Sequence, residues 1–456
     1  MPAHRPTAAA DLIAAAETRA LSHVSVGCYD WQGRLRAKQV HVRKLPGAFE
    51  RGLAMTSAIF ATDSAERPIE NGPFHDPAGG YRDAALRLDA TTWREFPLEA
   101  GGRGLLVLGQ LAGEFAAFCP RALLAAEIAR HAALGYDVRG AFELEFHLLR
   151  ETPASLRRKV PARLEIVTEL ERMYSLVDQS AAATLFDGLR TLAERMGLPI
   201  DSLHAEFSAL LEAALAPEHG LAIADHAVLF KTAAKALVRR SGLLASFMAK
   251  LSDRHETAGG HLNLSLHRLA DGAPVFARDA DGGVSTELGR FLGGLQQHTP
   301  ELMLLHCPYV NSFKRLAGDS FAPRTNRWGF DNKTCAYRVV ESGADGVRIE
   351  LRLPGADVHP ALCLAAALAA GRRGLEAGLA ASPPAMGNAW AADEPGVPAF
   401  PARFGLAIEA FRGSALAREA FGAPFVEAFA QSREWQLERL DRTVTDWEVR
   451  QYGECV

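Results

Sequence analysis

Four short segments of this chain alternate large apolar residues with Glu, His or Arg, and no other feature restricts the fold as strongly. Successive side chains of a β-strand point to opposite faces, so residues i and i+2 share a face. In AFELEFHLL, Phe142, Leu144, Phe146 and Leu148 form an apolar face and leave Glu143, Glu145 and His147 on the other. In GGHLNLSLH, Leu262, Leu264 and Leu266 oppose His261, Asn263, Ser265 and His267. GVRIELRLP sets Val347, Ile349, Leu351 and Leu353 against Arg348, Glu350 and Arg352. LHAEF sets His204 and Glu206 against Leu203, Ala205 and Phe207.

A single amphipathic strand ordinarily turns its charges to water. Four with the same design need another explanation, because their polar faces carry Glu, His and Arg in place of Lys, Thr and Ser. Two carboxylates at i and i+2 repel each other unless a cation lies between them. Hard oxygen ligands with an occasional imidazole suit Mg²⁺ or Mn²⁺, and neighbouring arginines suit phosphate. The pattern predicts a metal–phosphate site on the inner face of a curved sheet.

The rest of the chain narrows the class. Its 456 residues are enough for two domains with a sizeable core. A net charge of −4 gives no basic surface for nucleic acid. The stretch MPAHRPTAAADLIAAAETRA reads as helical and lacks the apolar core of a secretion signal. No run of about 18 uncharged apolar residues occurs, so no membrane span is expected. Cys28, Cys119, Cys307, Cys335, Cys363 and Cys455 are scattered without a CxxC pair, as expected of a reducing cytoplasm.

HVSVGCYD, GRLRAKQVHV and GLLVLGQLAG read as strands, punctuated by loops such as NGPFHDPAGGYRD. From Pro120 onward, amphipathic helices are expected over 121–135, 180–197 and 225–242, each ending at Gly. A helical tail runs through Trp435, Leu440 and Trp447. The change of character places a domain boundary between residues 1–119 and 120–456.

With these strands in place, the chain resembles the glutamine synthetase family along most of its length. YRDAALRLDATTWREFP is similar to the family's Pro-Asp-containing passage, and PRALLAAEIARHAALGY to the start of its catalytic domain. FELEF, SFMAKL, GGHLNLSL, NSFKRL, WGFDNKTCAYR and RIELRLPGADVHP then follow in the family's order. The resemblance implies an α+β fold: an N-terminal β-grasp domain and a catalytic domain whose curved antiparallel half-barrel is backed by helices. It implies Glu145, Glu206 and Glu212 at a first metal and Glu143, His261 and Glu350 at a second. Arg315 and Arg352 match arginines at the substrate's α- and γ-carboxylates. Arg338, Arg348 and Lys333 match positions near the transferred phosphate, with Lys333 standing where the family has arginine. His204 and Ser265 match residues near the nucleotide. The implied cofactors are ATP and two or three Mg²⁺ or Mn²⁺ ions, and the implied assembly is a homo-oligomer, a dodecamer of stacked rings whose active sites lie between subunits.

The departures concern the acceptor. Ammonia-using members carry an Asp-Gly-Ser-Ser segment where this chain has AIFATDSAERP, with Asp63 as the nearest acid. The family's flap glutamate, in Glu-Ala-Pro, is replaced by Phe321-Ala322-Pro323. SALL replaces the Gly-Gln pair between Glu206 and Glu212, and ETAGG replaces the Asn-Gly-x-Gly loop before the histidine. Phosphate chemistry is retained while the acceptor site is remodelled, so the chain is expected to make a γ-glutamyl amide from L-glutamate and an organic amine, as the family's γ-glutamyl-amide and γ-glutamyl-polyamine synthetases do. A ligase for another acid, an ammonia-dependent glutamine synthetase and a non-catalytic binding or structural member are the alternatives open at this point.

Overall fold

The alternating segments do pair as strands, and in three of the four the apolar face is buried as read. The computed structural model describes residues 9–70, 72–74, 80–160, 163–279, 281–318, 320–341, 343, 346–390 and 393–456. The helix expected near the start spans Ala9–Thr18. Positions 1–8 of that expectation, and 71 and 75–79 of the loop NGPFHDPAGGYRD, lie outside the described residues.

Among the described residues the strands form two sheets. The first contains β1 (His23–Tyr29), β2 (Leu35–His41), β3 (Leu53–Thr56), β4 (Asp83–Leu88), β5 (Arg94–Glu95) and β6 (Leu105–Ala112), in the order β2-β1-β6-β4-β3, with β5 also on β6. β1 and β6 run parallel at its centre, and the other pairs are antiparallel. Leu12, Ala16 and Leu45 of two covering helices pack on Val24, Val26, Val40, Leu105 and Val107. β3 and β4 were not anticipated; β3 is four residues long and β4 carries Asp83 and Arg87 among small and apolar residues, too weak a pattern to read.

The second sheet contains β7 (Tyr136–Leu149), β8 (Ile200–Ala205), β9 (Leu210–Leu215), β10 (Glu218–His219), β11 (Leu244–Ser246), β12 (Gly260–Arg268), β13 (Trp328–Phe330), β14 (Tyr337–Glu341) and β15 (Val347–Leu351). Its order is β13-β14-β15-β12-β7-β9-β8, with β10 and β11 also on β7. The long β7 carries four partners along its two edges, and the sheet curls into a half-barrel around it. Helices Pro120–Ala133, Leu221–Arg240, Thr286–His306 and Pro360–Ala377 back it. The last two touch backbone to backbone: a Cβ on Gly294 would stand 2.2 Å from the Ala370 oxygen, and one on Gly374 2.1 Å from that of Arg290.

Two helix expectations change. The segment 180–197 breaks at Ala182 (φ −105°, ψ 20°) into Leu176–Ala181 and Ala183–Arg195. The first piece starts early because the Ser175 hydroxyl accepts from the Asp178 amide. The helix expected from 225 begins at Leu221, directly after Gly220 at φ 55°. The tail is two helices, Ala423–Asp441 and Asp446–Tyr452.

A buried polar cluster and an aromatic cluster join the two sheets. Arg121, at the start of its helix, pairs with Asp225 through Nε and Nη2 at 3.0–3.2 Å and reaches Asp89 at 2.8 Å. The Tyr29 hydroxyl of β1 donates to the same Asp225 at 2.7 Å. Nearby, Trp31 packs on Phe60 and Phe74 from one side of the molecule and on Phe425 and Phe429 from the other. Removing Asp225 takes away the buried counter-charge of Arg121 and leaves it only the partly exposed Asp89, a loss of about 3 kcal/mol. Tyr29→Phe loses one hydrogen bond, worth about 1 kcal/mol. Denaturant midpoints should therefore fall far more for Asp225→Ala than for Tyr29→Phe; equal small losses would show that the cluster does not join the two parts.

Candidate active site

The strand register, more than any single strand, assembles the site. Across β7 and β12, His261 stands opposite Glu143. Across β12 and β15, Asn263 stands opposite Glu350. Across β14 and β15, Arg338 stands opposite Glu350. On the other side of β7, Glu145 faces Glu212, and Glu212 faces His204 of β8. Because side chains on paired strands point to the same face at matched positions, this register puts every one of these groups on one concave surface.

Two groups of ligand-type atoms result, each with its atoms within 4.8 Å of one another: Glu143, His261 and Glu350, and His204, Glu206 and Glu212. In the first, His261 Nδ1 lies 3.4 Å from Glu350 and 3.6 Å from Glu143, while its buried Nε2 has no partner. In the second, His204 Nε2 lies 2.9 Å from Glu206 and 4.0 Å from Glu212. Glu145 sits opposite Glu212, with one oxygen accepting from the Gly259 amide at 2.7 Å. Gly259 is itself required there, since a Cβ on it would come within 2.5 Å of His261 Nε2 and 3.0 Å of Glu145.

The electrostatics are those of a surface built for cations. Burial, then the charges of Glu145, Glu143, Glu206 and Glu350, push the Glu212 carboxyl up to about 9. Burial also raises Glu143, but hydrogen bonding and charge from His261, with Asn263 behind it, outweigh this and bring it down to about 2. At Glu350 burial is likewise outweighed, by His261, Arg352 and Arg338, and its carboxyl is held low. Hard oxygens converging with imidazole nitrogens are the donor set that Mg²⁺ or Mn²⁺ takes, so the residues fit divalent ions.

Cationic groups border the carboxylates on the β14–β15 side. Arg338 donates to Glu350 at 2.8 Å and, through Nε at 2.9 Å, to Asp331. Arg352 pairs with the other Glu350 oxygen and donates to the Lys333 carbonyl at 3.0 Å. Arg348 donates to Asn263 Oδ1, whose Nδ2 donates to Glu143, both at 2.9 Å. Ser265 lies along the same face of β12, 3.2 Å from His267. Arg315 is set apart: its guanidinium is buried and donates to the carbonyls of Arg352 and Leu353, with Nε left unpartnered.

Other expectations are modified by the geometry. β8 ends at Ala205, so Glu206 lies beyond the strand, and left-handed Ser208 and Ala209 turn the chain sharply into β9. Phe207, read as a core residue, is consequently 52% exposed. His147 shares the polar side of β7 but is fully buried and held neutral, its ring lowered to about 4 by burial. The Asp63 carboxylate caps its own turn by accepting from the amides of Ala65 and Arg67. Asn263 as a bridge, Gly259, Asp331, and Tyr174, whose ring stacks on His204 at 4.4 Å, had no assigned role. Asn263 and Gly259 carried a signal in their places in GGHLNLSLH, and Asp331 in WGFDNKTCAYR; Tyr174 carried none.

Beside Arg338 opens a cavity of about 890 Å³, bordered by Lys333, Phe321, Phe330 and Trp390. It brings the phosphate-side cations and the substituted flap position to one space.

The glutamine synthetase catalytic-domain model matches residues 117–452. The chain is 31% identical to a glutamate–isopropylamine ligase from a Pseudomonas species over 96% of each chain. It is 33% identical to gamma-glutamylethanolamide synthetase GlnA4 of Streptomyces coelicolor, covering 92% of this chain and 90% of that one. The solved structure of GmaS in complex with ADP superposes with a TM-score of 0.83 at 23% identity, over 98% of this chain and 100% of that one, which is agreement of fold. A family whose catalytic domain is matched from residue 117 to 452, relatives above 30% identity over nearly the whole chain, and two carboxylate–imidazole clusters on a half-barrel lead to one conclusion: the protein belongs to the glutamine synthetase family and is an ATP-dependent acid–amine ligase.

Proposed function

We propose that this ligase joins the γ-carboxylate of L-glutamate to an organic amine through a γ-glutamyl phosphate. The observation that carries the reading is Phe321, 56% exposed at the rim of the cavity that also holds Lys333 and Arg338. An ammonium ion stripped of water needs compensating carboxylates, and lacking them costs several kcal/mol. A phenyl ring there offers an organic amine apolar surface instead. The names of the two relatives, one an isopropylamine ligase and one an ethanolamide synthetase, support the same class of acceptor.

We assign the roles from the family resemblance, which the placement of the residues supports. A carboxylate is a poor electrophile, so its γ-oxygen first attacks the γ-phosphorus of ATP and ADP departs. Glu145, Glu206 and Glu212 and, beside them, Glu143, His261 and Glu350 would hold two or three Mg²⁺ or Mn²⁺ ions, which would supply charge neutralisation for the phosphates. Lys333, Arg338 and Arg348 take the charge that develops on the moving phosphoryl group, and His204 and Ser265 flank the nucleotide. Arg352 holds the γ-carboxylate end, and Arg315 is assigned the α-carboxylate by the family resemblance. The amine nitrogen then attacks the acyl carbon, phosphate leaves with the electrons of the broken C–O bond, and the nitrogen's surplus proton passes to that phosphate.

We further read the six-stranded unit, residues 1–119, as a β-grasp domain, residues 120–456 as the catalytic domain, and the cytoplasm as its location. No described helix is long and apolar enough to cross a membrane, and Cys455 is the one exposed cysteine. A dodecameric assembly gives the exposed Val444, Trp447, Val449 and Tyr452 of the C-terminal segment a surface to cover. Light scattering run alongside assays checks this: a fully active monomer would contradict sites shared between subunits.

The metal assignment predicts that Glu143→Gln or Glu350→Gln lowers ATP turnover at least a hundredfold, roughly 2.7 kcal/mol in the barrier. Gln keeps the volume and some hydrogen bonds, which matters at Glu350 because two arginines lean on it. Mn²⁺ at about 100 times its dissociation constant should stabilise the wild type by about 2.7 kcal/mol, and neither variant to that extent. Normal turnover and normal Mn²⁺ stabilisation in both variants would end the assignment.

The acceptor reading predicts that an alkylamine is used in strong preference to ammonia. Burying roughly 100 Å² of apolar surface contributes about 2.5 kcal/mol, nearly a hundredfold in kcat/KM. Phe321→Glu should move the ratio back towards ammonia. If ammonia outcompetes every amine in a series of rising size, the proposal fails.

A further inference from the structure

The cavity beside Arg338 has a wall that the reaction as described does not use. Phe321 meets Trp390 edge to face, with ring centroids 5.2 Å apart and planes at 87°. Trp390 is half-buried, and the guanidinium of Arg324 lies 5.4 Å from its ring centre, a cation–π contact that helps fix the indole in place. Phe330, backed by Arg278 at 3.8 Å, and the largely exposed Met386 extend the apolar lining. Trp390 comes from a different segment than Phe321, 69 positions later in the chain, so only the fold brings the two rings together.

The charges around this recess are mostly positive. Lys333 and Arg338 line it, with Arg324 behind Trp390. Among the described lining residues the one carboxylate is Asp331, and its Oδ1 already accepts from Arg338. A second ammonium on the acceptor would therefore meet two lining cations and a single carboxylate that already carries an ion pair with Arg338. Bringing such a charge out of water without a partner is costly.

Resting on the ligase reading above, we infer that Trp390 and Phe321 recognise the carbon skeleton of the amine, and that the acceptor is a monoamine with a compact alkyl or aryl group, diamines and polyamines being rejected. The amine enters as the neutral base, its nitrogen directed at the acyl carbon near Arg338 and its carbon skeleton against the two rings. Arg338 links the two regions, since it borders the recess and also donates to Glu350 of the metal cluster.

The test compares methylamine, n-butylamine, benzylamine and putrescine with L-glutamate and ATP, at equal concentrations of free base, reading γ-glutamyl amide by mass spectrometry and phosphate release. In the wild type, kcat/KM for n-butylamine should exceed that for putrescine at least tenfold, about 1.4 kcal/mol. Trp390→Ala should lower the butylamine-to-methylamine ratio about tenfold with the KM values of glutamate and ATP unmoved, and Trp390→Phe should restore most of it. Met386→Glu, at a position 88% exposed, supplies the missing carboxylate and should raise the putrescine-to-butylamine ratio about tenfold. A wild type that prefers putrescine overturns the inference, as does a Trp390→Ala enzyme that loses activity equally with every amine or that binds glutamate less well. If the wild type forms γ-glutamyl alkylamides but these ratios do not move, the inference alone falls; if it forms no γ-glutamyl amide with any amine, the ligase reading falls with it.

Discussion

Mutual repulsion among five glutamates on one concave surface is the constraint around which the rest of the molecule is organised. Glu143, Glu145, Glu206, Glu212 and Glu350 approach closely enough that burial and their neighbours' charge push Glu212 far above an ordinary carboxylic acid. The protein relieves part of this itself. His261 and Asn263 hold Glu143, two arginines hold Glu350, and a backbone amide holds one oxygen of Glu145. The relief is uneven, falling at Glu143 and Glu350 and leaving Glu212 in excess negative potential. That unevenness is what a divalent cation would correct, and it gives ion binding a large electrostatic driving force.

Holding such a surface in shape requires a rigid scaffold, and the backing helices provide it. Gly294 and Gly374 let two long helices approach until backbones touch, and the interior faces of β7 and β12 are filled with fully buried Leu and Phe. The first sheet is fastened to this scaffold through Arg121, Asp225 and Tyr29 and through the aromatic rings around Trp31. An ion cluster of this kind adds little net stability compared with an apolar contact, but it tolerates one geometry only. Register across the half-barrel is specified in the same way, because a slip of one residue would turn every glutamate into the apolar layer.

The acceptor side follows a different logic. The carboxylate and arginine clusters are positioned by strands, whereas the recess is built from loops: Phe321 and Trp390 both lie outside regular structure and meet through their rings. A family can vary such loops without disturbing the sheet, which is how one phosphoryl-transfer scaffold serves different amines.

The alternation of Glu, His and Arg with Leu, Ile and Phe was enough to place Glu143, Glu145, His261 and Glu350 on one polar face, because strand period is a local property of the chain. Motif order was enough for the family. Position along the chain said less where the backbone turns: Glu206 and Phe207 were read as a strand continuing, and the left-handed Ser208 and Ala209 ended it. β3 and β4 escaped notice because short, half-polar segments become strands only when a neighbour such as β6 offers its edge. What only the tertiary structure decided was which strand faces which. The pairing of Glu145 with Glu212, the bond from Arg348 to Asn263, the stacking of Tyr174 on His204 and the meeting of Phe321 with Trp390 each join distant stretches of chain. Composition and periodicity report on neighbours in sequence, whereas these contacts are set by sheet register and loop packing, which exist only once the chain has folded.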